Sequence, residues 1–336
     1  MLKKARIKYI AYYLPEKVLS NEALSAEFPE WSADKIITKT GIGERHIAAP
    51  DEFTSDMAVK AAQKLFDEYG VAKSDIDYIL LCTQSPDYQL PTTACIVQDR
   101  LGIPTTAGAL DFNLGCSGYV YGLSLAKGLI AANIAKNILL ITSETYSKYI
   151  HEKDRGNRTI FGDAAAATLI SGEGDGLEIE EFVLGTDGRG ADNLIVKNSG
   201  SKYKAGLPGE NAPEFNGERN DYYLFMDGSE IFNFTIESVP GLVNQTLEKN
   251  NLSFDNVDLF VFHQANKYML NHLRKKIGVS EEKFLYEMEN CGNTVSSTIP
   301  IVLKEAFVQN KIQQNMRILL AGFGVGYSWG GVILKS

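Results

Sequence analysis

The chain has 336 residues, 44% of them hydrophobic and 22% charged, with a formal net charge of −9. That length points to one large or two coupled domains, and that composition excludes disordered, collagen-like and coiled-coil chains. The acidic balance argues against nucleic-acid binding, because a phosphate backbone calls for a basic stripe.

The N-terminal stretch MLKKARIKYIAYYLPEK holds no apolar run long enough for a secretory signal. In Thr54–Tyr69, residues Met57, Ala58, Ala61, Ala62, Leu65 and Phe66 recur at helical spacing behind an Asp/Ser-containing start. Val71–Cys82 then gives a polar turn, an aspartate and a near-continuous apolar run, the pattern of a strand buried on both faces. Leu252–His263 repeats that pattern about 180 residues later, and Asn315–Gly322 echoes Ala135–Thr142 at almost the same offset. The helical stretches Tyr119–Asn133 and Ser297–Asn310 match in order, and Ile231–Asn250 stands in the second half where Thr54–Tyr69 stands in the first. Each half reads as βαβαβ with closing strands, and Ser171–Gly176 marks the division. The expected domains are 1–172 and 173–336. Within the second, 187–223 is a polar, Gly-rich excursion that predicts either a functional cover or an unstructured insertion. Ile318–Leu334 is uncharged but dense in glycine, so strand–turn–strand is expected there and no membrane span.

Four cysteines, Cys82, Cys95, Cys116 and Cys291, form no C-x-x-C pair, which removes zinc and thioredoxin-like motifs. Their contexts suit reduced thiols in a cytoplasmic protein, with Cys82 and Cys95 at core strand and helix positions. Cys116 differs. The strand Ala107–Phe112 runs into Asn113–Gly118, and a helix starts at Tyr119. Gly115 and Gly118 permit a tight, strained turn resembling a nucleophile elbow, and the helix N-terminus favours thiolate. A small buried cysteine at an apolar helix start is the plainer reading, and the residues alone leave both open. His263 closes the strand Asp258–Phe262, at the end where open α/β sheets place their sites. A strand-end histidine with satisfied hydrogen bonds is its alternative. Asn293, in Cys291-Gly292-Asn293-Thr294, reads by itself as a turn residue.

Taken together, Cys116 in its Gly-rich turn, His263-Gln264-Ala265-Asn266, and Gly292-Asn293-Thr294 before Ile299-Pro300 resemble the Cys–His–Asn set of the β-ketoacyl-acyl-carrier-protein synthase III family. Thr40-Gly41-Ile42, Glu44–Pro50, Phe161-Gly162-Asp163-Ala164, and Gly322-Phe323-Gly324 with Trp329-Gly330 extend the likeness from about residue 5 to the C-terminus. The resemblance implies an α/β, duplicated thiolase-like fold: two βαβαβαββ halves forming a five-layer αβαβα core, usually as a homodimer. It implies an acyltransferase that condenses an acyl thioester, held on Cys116, with malonyl-acyl-carrier protein. Carbon dioxide is lost, and a 3-oxoacyl-acyl-carrier protein initiates fatty-acid synthesis. A specialised enzyme of secondary-lipid, polyketide or surface-glycan synthesis, with another starter, is the alternative. His263 and Asn293 would hold the enolate oxygen, and backbone N–H groups of Cys116 and the Gly324–Val325 turn would hold the second oxyanion. Phe323 would exclude water, Phe161 would join the substrate-binding set, and Leu90 would close the partner's acyl pocket. Leu90 stands where Phe is common, which implies a longer or branched acyl group.

The same resemblance implies coenzyme A thioester and acyl-carrier protein as substrates, with no metal or resident cofactor. For the donor, Lys35 holds the register of the family's adenine-stacking Trp, with Trp31 nearby. Lys39 and Gly43 stand at Arg positions, and Arg155 matches the other nucleotide-contacting Arg. Lys267, Arg274, Lys275 and Lys276 offer a basic patch for an acidic carrier protein, although Tyr268 replaces the family's Arg. A thiolase would need a second cysteine within Phe323–Gly331, where there is none. A papain-like hydrolase would carry a different cysteine signature, and a non-catalytic subunit would have lost the nucleophile.

Overall fold

The apolar runs become strands covered on both faces, and the alternation along each assigns its side chains to two different layers. A computed structural model describes residues 3–202 and 220–336; the stretch 203–219 of the expected excursion lies outside the described residues. In the first half, β1 (Arg6–Tyr13), α1 (Thr54–Tyr69), β2 (Tyr78–Cys82), α2 (Thr93–Leu101), β3 (Gly108–Phe112), α3 (Gly118–Ala131), β4 (Asn137–Glu144) and β5 (Ala164–Ser171) follow one another. The second half gives β6 (Leu177–Thr186), α4 (Gly228–Lys249), β7 (Leu259–Phe262), α5 (Lys267–Ile277), α6 (Thr298–Val308), β8 (Arg317–Gly324) and β9 (Ser328–Lys335).

Strand pairing repeats between the halves. β2 lies parallel to β3 and β4, while β5 runs antiparallel to β4 and β1. Likewise β7 is parallel to β8, and β9 is antiparallel to β8 and β6. The two sets meet where β1 and β6 pair over Arg6–Glu178 and Ile7–Leu177, giving the order β7-β8-β9-β6-β1-β5-β4-β2-β3. The strand expected between α5 and α6 is reduced to one parallel bridge, Phe284 to Phe260. That is the second half's counterpart of β3.

α3 and α6 form the middle layer and contact strands of both sets. Tyr119, Leu123, Ile299 and Val302 pack there with Leu80, Leu140, Val261 and Leu320. Alternate residues of the same strands face outward: Ile79, Leu81 and Ile141 meet Met57, Ala61 and Leu65 of α1. Phe260, Phe262 and Leu319 meet Leu242 and Leu247 of α4. Five layers therefore share three apolar seams, as period-two alternation in doubly covered strands requires. α1 starts where the Asp56 carboxylate accepts the Phe53 N–H and stops at left-handed Gly70.

Three local expectations change. Cys95 sits on α2 as anticipated but is exposed, so it is no core residue. Residues 17–47 form an insert of a short hairpin (Lys17–Ser20 with Glu44–Ile47) and two helices (Asn21–Glu27, Ala33–Thr40) that the periodicity did not reveal. The described part of the excursion is ordered: Asp187 caps a turn over Gly188–Asn193, and Leu194–Ile195 pairs with Phe225–Met226. No described helix is long and apolar enough to cross a membrane.

Candidate active site

Cys116 lies in the turn between β3 and α3, 6% exposed. The strained elbow expected there is absent: neither Cys116 nor its flanking glycines have positive φ. The glycines are needed for close packing instead. A Cβ on Gly115 would stand 2.5 Å from Gln84 Oε1, and one on Gly118 2.3 Å from Cys82 Sγ. Opposite, a Cβ on Gly324 would stand 2.8 Å from Cys116 Cβ and 2.9 Å from its sulfur. The end of β8 is thus pressed onto Cys116 of the other half, and the Val325 N–H reaches the sulfur.

The strain falls on Val295, with φ of +55°, while the other described non-glycine residues at positive φ are all asparagines. For a β-branched residue this costs about 1–3 kcal/mol. It gives two alignments. The Val295 N–H donates to Asn293 Oδ1 at 2.9 Å, which fixes the amide so that its NH2 is left for a ligand. The Val295 carbonyl accepts from Thr298 Oγ1 at 3.1 Å, and that hydroxyl lies 2.8 Å from His263 Nδ1. Asn293 is also tied by its backbone to Ile160 and Gly162, across a bridge with Phe161. His263 follows β7 directly and donates its own N–H to the Ala321 carbonyl of β8.

Cys116, His263, Asn293, Phe323, Gly324 and Phe161 line one cavity of about 110 Å³, completed by apolar side chains including Leu194, Met226 and Met269. Sequence reasoning missed Leu194 and Met226. Leu194 comes from the excursion, whose polarity hid it, and Met226 from the short strand just after it. Phe323 meets His263 edge-on, ring centres 5.7 Å apart. Burial depresses the His263 pKa to about 3, so the ring is neutral at physiological pH. The Cys116 thiol is pushed up to about 12 by burial and then by the Glu144 carboxylate, against the thiolate expected from the helix N-terminus. The helix dipole and backbone N–H groups act on it, but desolvation is larger.

Glu144, at the end of β4, is fully buried, and burial raises its carboxyl to about 8. It accepts from the Gln84 N–H (3.0 Å), Ser85 Oγ (3.3 Å) and Ser296 Oγ (2.8 Å). One carboxyl therefore ties a first-half loop to the second-half turn that carries Val295. A charge ending the apolar run Ile138–Ile141 was the readable signal for it.

The remaining expected residues form separate groups. Trp31 is approached by Lys35 Nζ at 4.9 Å, Lys39 Nζ at 5.0 Å and the Arg155 guanidinium at 5.0 Å, and Arg155 pairs with Glu30. Lys267, Lys275 and Lys276 of α5 are exposed, and α5 touches the helix Ala33–Thr40. Arg274 does not join them. Its side chain is 12% exposed and turned to the Val279 carbonyl (3.1 Å) and Glu281 (3.4 Å), closing the helix end. Leu90 is 84% exposed and lines neither this cavity nor the larger one beside it. Two of the recognised motifs are scaffolding: buried Arg45 donates to Asn21 Oδ1 and the Thr159 carbonyl, and Asp163 accepts from the Ala48 and Ser147 N–H groups. Among the described residues no cluster of His, Cys, Asp and Glu is arranged to hold a metal ion.

Duplicated halves, with a cysteine from one and a histidine and asparagine from the other around one buried cavity, define a thiolase-like condensing enzyme. Sequence models of 3-oxoacyl-[acyl-carrier-protein] synthase III and of its C-terminal region match residues 110–188 and 247–336. The β-ketoacyl-[acyl-carrier-protein] synthase III of Clostridium perfringens is 37% identical over 335 residues, covering 99% of this chain and 100% of that protein. A crystal structure of a 3-oxoacyl-(acyl-carrier-protein) synthase III superposes with a TM-score of 0.95 at 50% identity, covering 99% of this chain and 100% of that one. The 3-oxoacyl-(acyl-carrier protein) synthase of Burkholderia xenovorans superposes at 0.90 with 36% identity, over 99% and 94% of the two chains. The chain belongs to the β-ketoacyl-[acyl-carrier-protein] synthase III family, and it is an acyltransferase.

Gly324→Ala is expected to fold but to lower Cys116 acylation by about 100-fold, since the new methyl displaces the sulfur; intact-protein mass after thioester treatment reads this. Above the Glu144 pKa of about 8, its charge opposes thiolate formation at Cys116. Glu144→Gln should therefore be alkylated by iodoacetamide faster than wild type above about pH 8, the two rates converging below about pH 7.

Proposed function

We propose that Cys116 takes the acyl group from a thioester donor and that His263 and Asn293 drive decarboxylative condensation with malonyl-acyl-carrier protein. The observation that carries this reading is that all three side chains line one small, mainly apolar cavity. In the first step the Cys116 sulfur–acyl bond forms as the donor thioester breaks, and the thiol proton leaves with the donor thiol. The Cys116 and Val325 N–H groups would hold the oxygen of the tetrahedral intermediate. In the second step the malonyl carboxylate leaves as carbon dioxide, and its bonding electrons become an enolate. His263, neutral, would donate from Nε2 once the Thr298 hydroxyl turns its single hydrogen from the Val295 carbonyl to Nδ1, and the Asn293 NH2 would donate beside it. The enolate carbon then attacks the Cys116 thioester, and the expelled thiolate regains a proton. Phe323 and Phe161 would keep water from protonating the enolate. The thioesters supply activation and leaving group, so no step calls for a metal or a redox cofactor.

The donor reading is coenzyme A, with its adenine near Trp31 and its phosphates near Lys39 and Arg155. Three cations around one indole support a polyanionic aromatic ligand. Lys267, Lys275 and Lys276 would meet an acidic carrier protein. Leu90, exposed beside Tyr88 (62%), supports a homodimer in which each chain closes its partner's acyl site. Residues 1–172 and 173–336 would act as the two halves of one catalytic unit, in the cytoplasm, where reduced thiols and acyl thioesters coexist. Primary initiation of fatty-acid synthesis is the function proposed.

Cys116→Ala is expected to abolish acyl-enzyme formation. His263→Ala or Asn293→Ala should still load acyl groups but lose about 10²–10³-fold in release of labelled carbon dioxide from malonyl-acyl-carrier protein. If both condensed at the wild-type rate, the enolate assignment would fall. Lys275→Glu should raise the KM for malonyl-acyl-carrier protein, most strongly at low salt, with little change in loading from coenzyme A thioesters.

A further inference from the structure

Beyond the Cys116 turn lies a second cavity of about 630 Å³, which shares Leu194 with the first. Val325, whose N–H reaches the Cys116 sulfur, lines it. So does Gln84, whose Oε1 would stand 2.5 Å from a Cβ on Gly115. Cys116 itself lines only the first cavity, so an acyl chain on the sulfur would enter this space past Leu194 and Val325, away from His263 and Asn293.

Its Gln84 side is polar and held by hydrogen bonds. The Tyr146 hydroxyl donates to Gln84 Oε1, and Gln84 Nε2 donates to Asn113 Oδ1 at 3.1 Å. The Gln84 backbone is held as well, its N–H by Glu144 at 3.0 Å and its carbonyl by the Tyr149 hydroxyl at 3.2 Å. Tyr146 is 4% exposed, and burial keeps its hydroxyl protonated. With those bonds made, one Gln84 amide hydrogen and the Tyr146 oxygen lone pairs remain available. A hydrocarbon chain packed against them would strip their water and return no hydrogen bond, which is unfavourable. Among the described residues no Lys or Arg lines the cavity and its one charged lining residue is Asp87, which disfavours an acyl carboxylate. Leu194, Leu224 and Val196 supply apolar lining.

We infer that the acyl group carried on Cys116 bears a neutral oxygen function, a hydroxyl or keto group near its thioester end, recognised by Gln84 and Tyr146. The inference rests on Cys116 being the acyl carrier and replaces the plain longer or branched chain expected from Leu90. It makes Gln84 and Tyr146 specificity-determining residues.

The test is a competition at Cys116 between equimolar butyryl and 3-hydroxybutyryl thioesters, and between hexanoyl and 3-hydroxyhexanoyl thioesters, each on coenzyme A and on carrier protein. Intact-protein mass reads the adduct ratio, which does not depend on how much enzyme is folded. The hydroxyacyl adduct should lead by about tenfold in wild type, and Gln84→Leu or Tyr146→Phe should bring the ratio to about one or below. A wild-type preference for the plain acyl groups, or a ratio unmoved by both substitutions, overturns the inference and leaves Cys116 as the carrier. No Cys116-dependent adduct from any of these thioesters overturns the carrier reading and the inference with it.

Discussion

The backbone of β8 lies against the start of α3 with no side chain between them, and the active site depends on that approach. A Cβ on Gly322 would meet Ser117 Cα at 2.9 Å and the Cys116 carbonyl at 3.0 Å, and Gly324 has no more room. Ser117 and Ser328 hydroxyls close the same seam at 2.6 Å, and Ser328 donates on to the Val325 carbonyl at 3.0 Å. Cys116 belongs to the first half by sequence and is positioned by the second. His263 hangs from the same strand through Ala321. A shift of β8 against α3 would move sulfur, imidazole and oxyanion donors relative to one another, so duplication without this glycine seam would bring two halves together without a site.

The seam is braced by a buried polar network. Glu144 draws Gln84, Ser85 and Ser296 to one carboxyl, and Ser296 adjoins Val295, whose strained backbone aims both Asn293 and the Thr298–His263 pair. Strain of about 1–3 kcal/mol persists only where the surroundings over-determine it. Here a buried side chain, three hydrogen bonds to Glu144 and the Asn293–Phe161 bridge do so. The donors proposed for the enolate are therefore held in place by the fold, and donors held in advance are effective when charge develops.

Sequence made the scaffold readable because doubly buried strands write apolar runs and their helices write a 3.6-residue stripe. Cys116 and His263 stood out because each ends such a run with a polar or reactive group. Asn293 did not, since a Gly-flanked asparagine is ordinary turn chemistry, and it became visible only through the family resemblance. The φ of Val295 was unreadable because β-branched residues do not signal left-handed backbone. Gln84 and Tyr146 meet across 62 residues, a contact no local pattern encodes. Arg274 misled for a different reason: its spacing put it with the other cations, but the carbonyl of Val279 at the helix end claimed it. The thiolate expectation failed because a dipole can be inferred from a helix start, whereas burial beside a distant glutamate cannot.

The electrostatics of the small cavity follow from those same burials. Among the described residues no charged side chain lines it. With the thiol pushed to about 12, the imidazole to about 3 and the nearby carboxyl to about 8, every titratable group around the sulfur is mostly neutral at physiological pH. A malonyl carboxylate entering this space would bring the one full charge. Desolvation raises the energy of that localised charge, and its departure as neutral carbon dioxide spreads the electrons onto an oxygen that two neutral donors can hold. A cationic histidine would instead stabilise the carboxylate before reaction and weaken the drive to lose it. The deep burial of His263, which at first looks like a handicap for a catalytic base, suits the role proposed for it, donating one hydrogen bond while remaining uncharged.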